Sequence, residues 1–143
     1  MPTRKGSAEW RGGLKDGNGT VRLESAGYEG PYSFGSRFEQ ASGTNPEELI
    51  GTAHAACFSM ALAAGLERAG HKPSRVATTA MVDLETGGEG PRIGKIRLRT
   101  EAEVPGVDET TFRKHAEDAK KNCPVSKALA AVDIELDARL VGG

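Results

Sequence analysis

The sequence predicts an α+β protein with mostly antiparallel sheets wrapped around a buried central helix. Three observations lead there. Short runs of alternating apolar residues recur before and after the middle of the chain. Between them lies one long segment, Asn45 to Gly70, whose middle is nearly free of polar side chains. Too few helical segments separate the strands for a doubly wound parallel sheet.

From Gly6 onward, Ala8, Trp10 and Leu14 alternate, Asp16-Gly17-Asn18-Gly19 reads as a turn, and Val21 and Leu23 resume the alternation, as in a β-hairpin. Tyr28 to Phe38, carrying Tyr32, Phe34, Arg37 and Phe38, reads as a further, less regular strand before a loop at Gly43. Thr44-Asn45-Pro46-Glu47-Glu48-Leu49 opens a helix. Asn45 is its N-cap, Pro46 takes the first position, and Glu47 and Glu48 oppose the dipole. Glu48 also stands at capping-box spacing from Asn45.

That helix runs through Ala53, Ala56, Cys57, Met60, Ala61 and Ala64 to a stop at Gly70, and its composition predicts burial of most of its circumference. Arg75 to Glu85 and Arg92 to Val104 are two alternating strands joined by a loop from Gly87 to Pro91. Asp108 caps a second helix through Phe112, Ala116 and Ala119, which ends near Cys123 because Pro124 follows. Pro124 to Ala130 forms a short helix, and Val132 to Val141 the last strand.

The 143 residues suit a single domain, 1–143, with a real core. Nineteen Lys and Arg against twenty Asp and Glu leave a net charge of -1, which removes the electrostatic case for a nucleic-acid partner. The opening MPTRKGSAEW has basic residues without an apolar run behind them, unlike a secretory signal, so a cytoplasmic location is expected. The longest apolar-rich stretch, Thr52 to Leu66, is broken by His54, Ser59 and Gly65. It falls short of the roughly 20 residues that span a bilayer, and no membrane partner is expected. With aromatics at only 5%, the core must be mainly aliphatic, and burying surface against a second copy would add to it.

Two cysteines are the first chemical lead. Cys57 lies mid-helix, about ten positions from the start, too far for the dipole to favour a thiolate. Taken alone it reads as a small buried hydrophobe. Cys123, just before Pro124, sits where the amides of a new helix could favour a thiolate; it reads either as a resolving thiol or as an incidental helix-end residue. His54 stands three residues before Cys57. Without a CxxC or HExxH spacing it is better read as an ordinary helix histidine than as a metal ligand or a general base for Cys57. Glu47 and Glu48 are fully explained as helix-start residues, and Arg37 as a solvated charge with the option of an aromatic-lined seat between Phe34 and Phe38.

Gly43-Thr44-Asn45-Pro46-Glu47-Glu48-Leu49-Ile50-Gly51, then His54-Ala55-Ala56-Cys57-Phe58, and downstream Asn122-Cys123-Pro124-Val125-Ser126, resemble the OsmC/Ohr thiol-peroxidase family. The likeness runs nearly end to end, from Gly6-Ser7-Ala8-Glu9-Trp10 to the last strand. It implies reduction of organic hydroperoxides by cysteine chemistry, with no metal or bound cofactor and an external thiol or a dithiol such as dihydrolipoamide as reductant. By the same resemblance Cys57 matches the peroxidatic cysteine and Cys123 the resolving one. Arg37, twenty residues before Cys57, matches the active-site arginine, and Glu47, ten before, the glutamate that holds it. An intertwined homodimer, with each site built from both chains, is implied as well.

Two further classes fit the residues themselves. One is a non-enzymatic small-molecule binding or stress-protection homodimer that takes an organic anion near Arg37. The other is a structural homodimer whose cysteines are core residues.

Overall fold

In the computed structural model, which describes residues 2–142, the chain runs β1 (Gly6–Arg11), β2 (Asn18–Leu23), β3 (Tyr28–Tyr32), α1 (Phe34–Phe38), α2 (Pro46–Arg68), β4 (Arg75–Glu85), β5 (Arg92–Glu103), α3 (Glu109–Asn122), α4 (Pro124–Ala128) and β6 (Asp133–Leu140). These elements fall into two compact units, Met1–Leu49 and Ile50–Gly143, each with a three-stranded sheet. The α+β class with mostly antiparallel pairing holds: among the described strands three pairings are antiparallel, while β5 and β6 pair in parallel.

In the first unit β1, β2 and β3 form an antiparallel meander. Gly19 pairs with Trp10 on one side and Tyr32 on the other, and those two rings meet across it with centroids 5.2 Å apart. A Cβ at position 19 would run into both rings, so this position requires glycine. The hairpin turn lies earlier than the sequence suggests. Arg11 already pairs with Asn18, the Gly17 N–H donates to the Gly13 carbonyl at 2.9 Å, and Leu14 is an exposed turn residue rather than a strand residue.

The expected strand over Tyr28 to Phe38 is only half a strand. After Tyr32 the chain turns into α1, because Ser33 and Ser36 form a reciprocal capping box: each backbone N–H donates to the other's hydroxyl, at 2.9 and 3.0 Å. The start of α2 follows expectation. The Glu48 N–H donates to Asn45 Oδ1 at 2.8 Å, and Asn45 Nδ2 donates to the Glu48 carboxylate at 2.8 Å and to the Ser36 carbonyl at 3.1 Å.

In the second unit α2 packs on the sheet β4-β5-β6. Its buried stripe is Gly51, His54, Phe58, Leu62 and Leu66, spaced three or four residues apart. Gly51 permits the close approach: a Cβ there would stand 3.2 Å from the Ala80 carbonyl oxygen and from a Val82 methyl group. Strand β5 alternates strictly, with Ile96, Leu98, Thr100 and Ala102 facing the core and Arg97, Arg99 and Glu101 facing out. Phe112, Ala116 and Ala119 of α3 close the core from the crossover that makes β6 parallel to β5. Helix α2 ends as Gly70 adopts φ 90° and the His71 N–H reaches back to the Leu66 carbonyl at 2.8 Å.

Two expectations about this helix are corrected. Its 23 residues make it long and apolar enough to cross a membrane by length and composition, so the apolar stretch is not too short for that. Nor is most of its circumference covered within one chain. Ala53 and Ala56 are exposed, and Met60 is 76% exposed, along one stripe.

Candidate active site

The residues singled out by the sequence come together as two pairs, each inside one unit. In the first, Arg37 at the end of α1 reaches Glu47 in the first turn of α2. Arg37 Nε donates to Oε1 at 3.1 Å and a terminal guanidinium nitrogen donates to Oε2 at 2.9 Å. The Glu47 side chain is nearly enclosed, and the guanidinium also lies 5.3 Å from the Phe38 ring centroid. Two local features aim this fork: the Ser33 cap that makes α1, and the Asn45 cap that places Glu47 at the second helical position.

In the second unit Cys57 of α2 and Cys123, the residue between α3 and α4, are both free thiols and are neighbours, close enough for Cys123 to affect the ionisation of Cys57. Cys57 is partly exposed and Cys123 is buried. Burial pushes the Cys57 thiol above its ordinary value and the neighbouring Cys123 adds to the rise, while a hydrogen bond with the Val125 backbone works the other way. A thiol in this setting needs a nearby cation to ionise readily.

Cys123 is the N-cap of α4, and its sulfur accepts from the Ser126 backbone N–H at 3.3 Å. With five residues α4 is too short to add much of a dipole, so this one N–H is what the helix start contributes. The Cys123 thiol also donates to Ser126 Oγ at 3.1 Å, and Ser126 Oγ lies 2.8 Å from His54 Nε2. Reading the sequence missed this link. The signals available were a Cys-Pro-x-Ser run with capping spacing, and a histidine on the apolar stripe of α2.

An open groove runs past Cys123, lined by Ala61, Arg68, His115, Asp118 and Asn122. Among the described residues no three His, Cys, Asp or Glu side chains gather to hold a metal ion.

Residues 39–137 match the sequence profile of the family described as OsmC-like protein. The chain is 51% identical over 138 residues to Peroxiredoxin OsmC of Escherichia coli strain K12, covering 96% of each. It is 26% identical over 126 residues to Organic hydroperoxide resistance protein-like 1 of Staphylococcus saprophyticus, covering 87% of this chain and 89% of that one. The crystal structure of an OsmC-like protein from Mycoplasma pneumoniae shares the fold with a TM-score of 0.76 at 16% identity, over 98% of both chains.

Proposed function

The chain belongs to the OsmC-like protein family, and from that premise we propose that it is a thiol peroxidase that reduces organic hydroperoxides to alcohols, with Cys57 attacking and Cys123 resolving. The observation that carries this reading is the contact between two free thiols brought from distant parts of the chain to one half-buried place.

The chemistry follows from the weak O–O bond. The Cys57 thiolate attacks one peroxide oxygen, an S–O bond forms as the O–O bond breaks, and the departing alkoxide takes a proton to become the alcohol. Cys57 is left as a sulfenic acid. Cys123 condenses with it to a disulfide and releases water before further oxidation, and an external thiol or dithiol restores both thiols by exchange.

Burial works against the Cys57 thiolate, so the mechanism requires a cation. We assign that part to Arg37, held by Glu47, in keeping with the family resemblance. A guanidinium is always charged, and its fork of N–H donors suits the developing alkoxide. A homodimer is part of the same proposal, supported by the uncovered apolar stripe Ala53, Ala56 and Met60 on α2. The E. coli relative's name speaks of a peroxiredoxin and the S. saprophyticus relative's of organic hydroperoxides, which favours that substrate class.

Steady-state turnover of cumene hydroperoxide and of hydrogen peroxide, with dihydrolipoamide as reductant, tests the reading. Turnover with the organic peroxide preferred, lost in Cys57→Ser, supports it. Thiols that survive both peroxides would instead favour the non-enzymatic binding protein.

A further inference from the structure

The chemistry above makes no use of His54. Within the buried stripe of α2 it alone has a polar side chain, and it is wholly enclosed. Its Nδ1 is buried without a hydrogen-bond partner, while its Nε2 faces Ser126 Oγ at 2.8 Å. An unpartnered buried ring nitrogen costs stability, and an aliphatic residue in the stripe would avoid that cost. The position therefore calls for a use, and the groups next to it supply one. With the Cys123 thiol donating to Ser126 Oγ, the serine hydroxyl can in turn donate to His54 Nε2 in the tautomer that carries the ring proton on Nδ1. The three side chains form a directed chain from Sγ through Oγ to Nε2.

We propose that Ser126 and His54 are a proton relay for closing the Cys57–Cys123 disulfide. Ser126 touches the reacting sulfur, and His54 acts behind it as a positioning residue. The proposal rests on the resolving role given to Cys123 above.

In the step, Cys123 Sγ attacks the sulfur of the Cys57 sulfenic acid. The S–S bond forms and the S–O bond breaks, its electron pair leaving on hydroxide. The thiol proton passes to Ser126 Oγ as the serine proton passes to His54 Nε2, and the hydroxide leaves to solvent, where the proton that His54 gives back completes the water. His54 later returns its proton to solvent by way of Ser126. One thiol and one sulfenic acid give one disulfide and one water, with no further oxidant or reductant. The Ser126 backbone N–H, already donating to Cys123 Sγ at 3.3 Å, stabilises the negative charge that develops on that sulfur.

Burial holds the His54 imidazole below its ordinary range, so at neutral pH one ring nitrogen is free to accept. The same burial disfavours the protonated ring, so the proton it takes up is readily given back.

Rapid-quench oxidation by cumene hydroperoxide, with sulfenic acid trapped by dimedone and disulfide read by mass spectrometry, compares wild type, Ser126→Ala and His54→Gln. The glutamine can hydrogen-bond Ser126 but cannot take up a proton. The relay predicts that the Cys57 sulfenic acid forms in all three and persists at least about ten-fold longer in both variants, a modest share of what general-base help can supply. Disulfide closure at the wild-type rate in His54→Gln overturns the relay and leaves His54 as packing. Ser126→Ala removes a single hydroxyl and decides the matter if the histidine variant does not fold; wild-type closure there has the same consequence. Should wild type itself accumulate sulfenic acid and never form the Cys57–Cys123 disulfide, the resolving role of Cys123 falls, and the relay with it.

Discussion

Arg37 meets Glu47 through two parallel hydrogen bonds, at 3.1 and 2.9 Å, with the carboxylate nearly enclosed and the guanidinium partly open to solvent. A fork held in this way offers its remaining N–H groups in a fixed direction. A lysine in its place would keep the charge and lose the direction.

Arg37→Lys and Glu47→Ala are therefore both expected to lower kcat/KM for an organic hydroperoxide, by about 100-fold, the loss typical of removing one preorganised donor to a developing oxyanion. Steady-state kinetics with cumene hydroperoxide decide it. A lysine variant at wild-type efficiency would show that charge alone suffices.

The Cys57 thiol gives a second expectation. Burial and Cys123 raise its pKa, so without a compensating cation the thiolate forms only toward alkaline pH. In Arg37→Ala, ultraviolet thiolate titration is expected to move to higher pH than in wild type, and the rate of peroxide attack to keep climbing through the alkaline range. Superimposable titrations would take Arg37 out of thiolate activation.

How much of this arrangement was legible beforehand depends on the range of the interactions. Asn45-Pro46-Glu47 announces a helix start because capping is local, and that start sets Glu47 at the position from which it reaches Arg37. The strands β4 and β5 follow from alternation along each strand. Helix α1 was hidden because its box is Ser33 with Ser36 rather than the usual serine with glutamate, in a stretch whose aromatic residues also suit a strand. The contact of His54 with Ser126 joins residues far apart in sequence, and neither one's local pattern specifies the other.

His54 also predicts a pH dependence of stability. Its folded pKa is depressed by burial, with no charged group contributing to the shift, so the unfolded chain binds the proton first as pH falls. The stability tied to the neutral ring is present above the unfolded value near 6.5 and is lost as pH falls below it toward the lower folded value. Urea midpoints measured across that window should decline in wild type and decline less in His54→Gln. Parallel curves would contradict the assignment.

Met60, 76% exposed beside Ala53 and Ala56 on α2, predicts where a second copy docks. Met60→Glu places a charge on that stripe and is expected to shift sedimentation from dimer to monomer while the far-ultraviolet circular dichroism is kept. A variant that sediments with wild type would move the interface elsewhere.

The central claim is that Cys57 reacts first and Cys123 closes on it. Reduced protein is mixed with one equivalent of cumene hydroperoxide per chain, and the peptides are mapped by mass spectrometry. The account predicts a Cys57–Cys123 disulfide in wild type and, in Cys123→Ser, a Cys57 sulfenic acid after one turnover. Two intact thiols in wild type, or oxidation at Cys123 with Cys57 untouched, would contradict it.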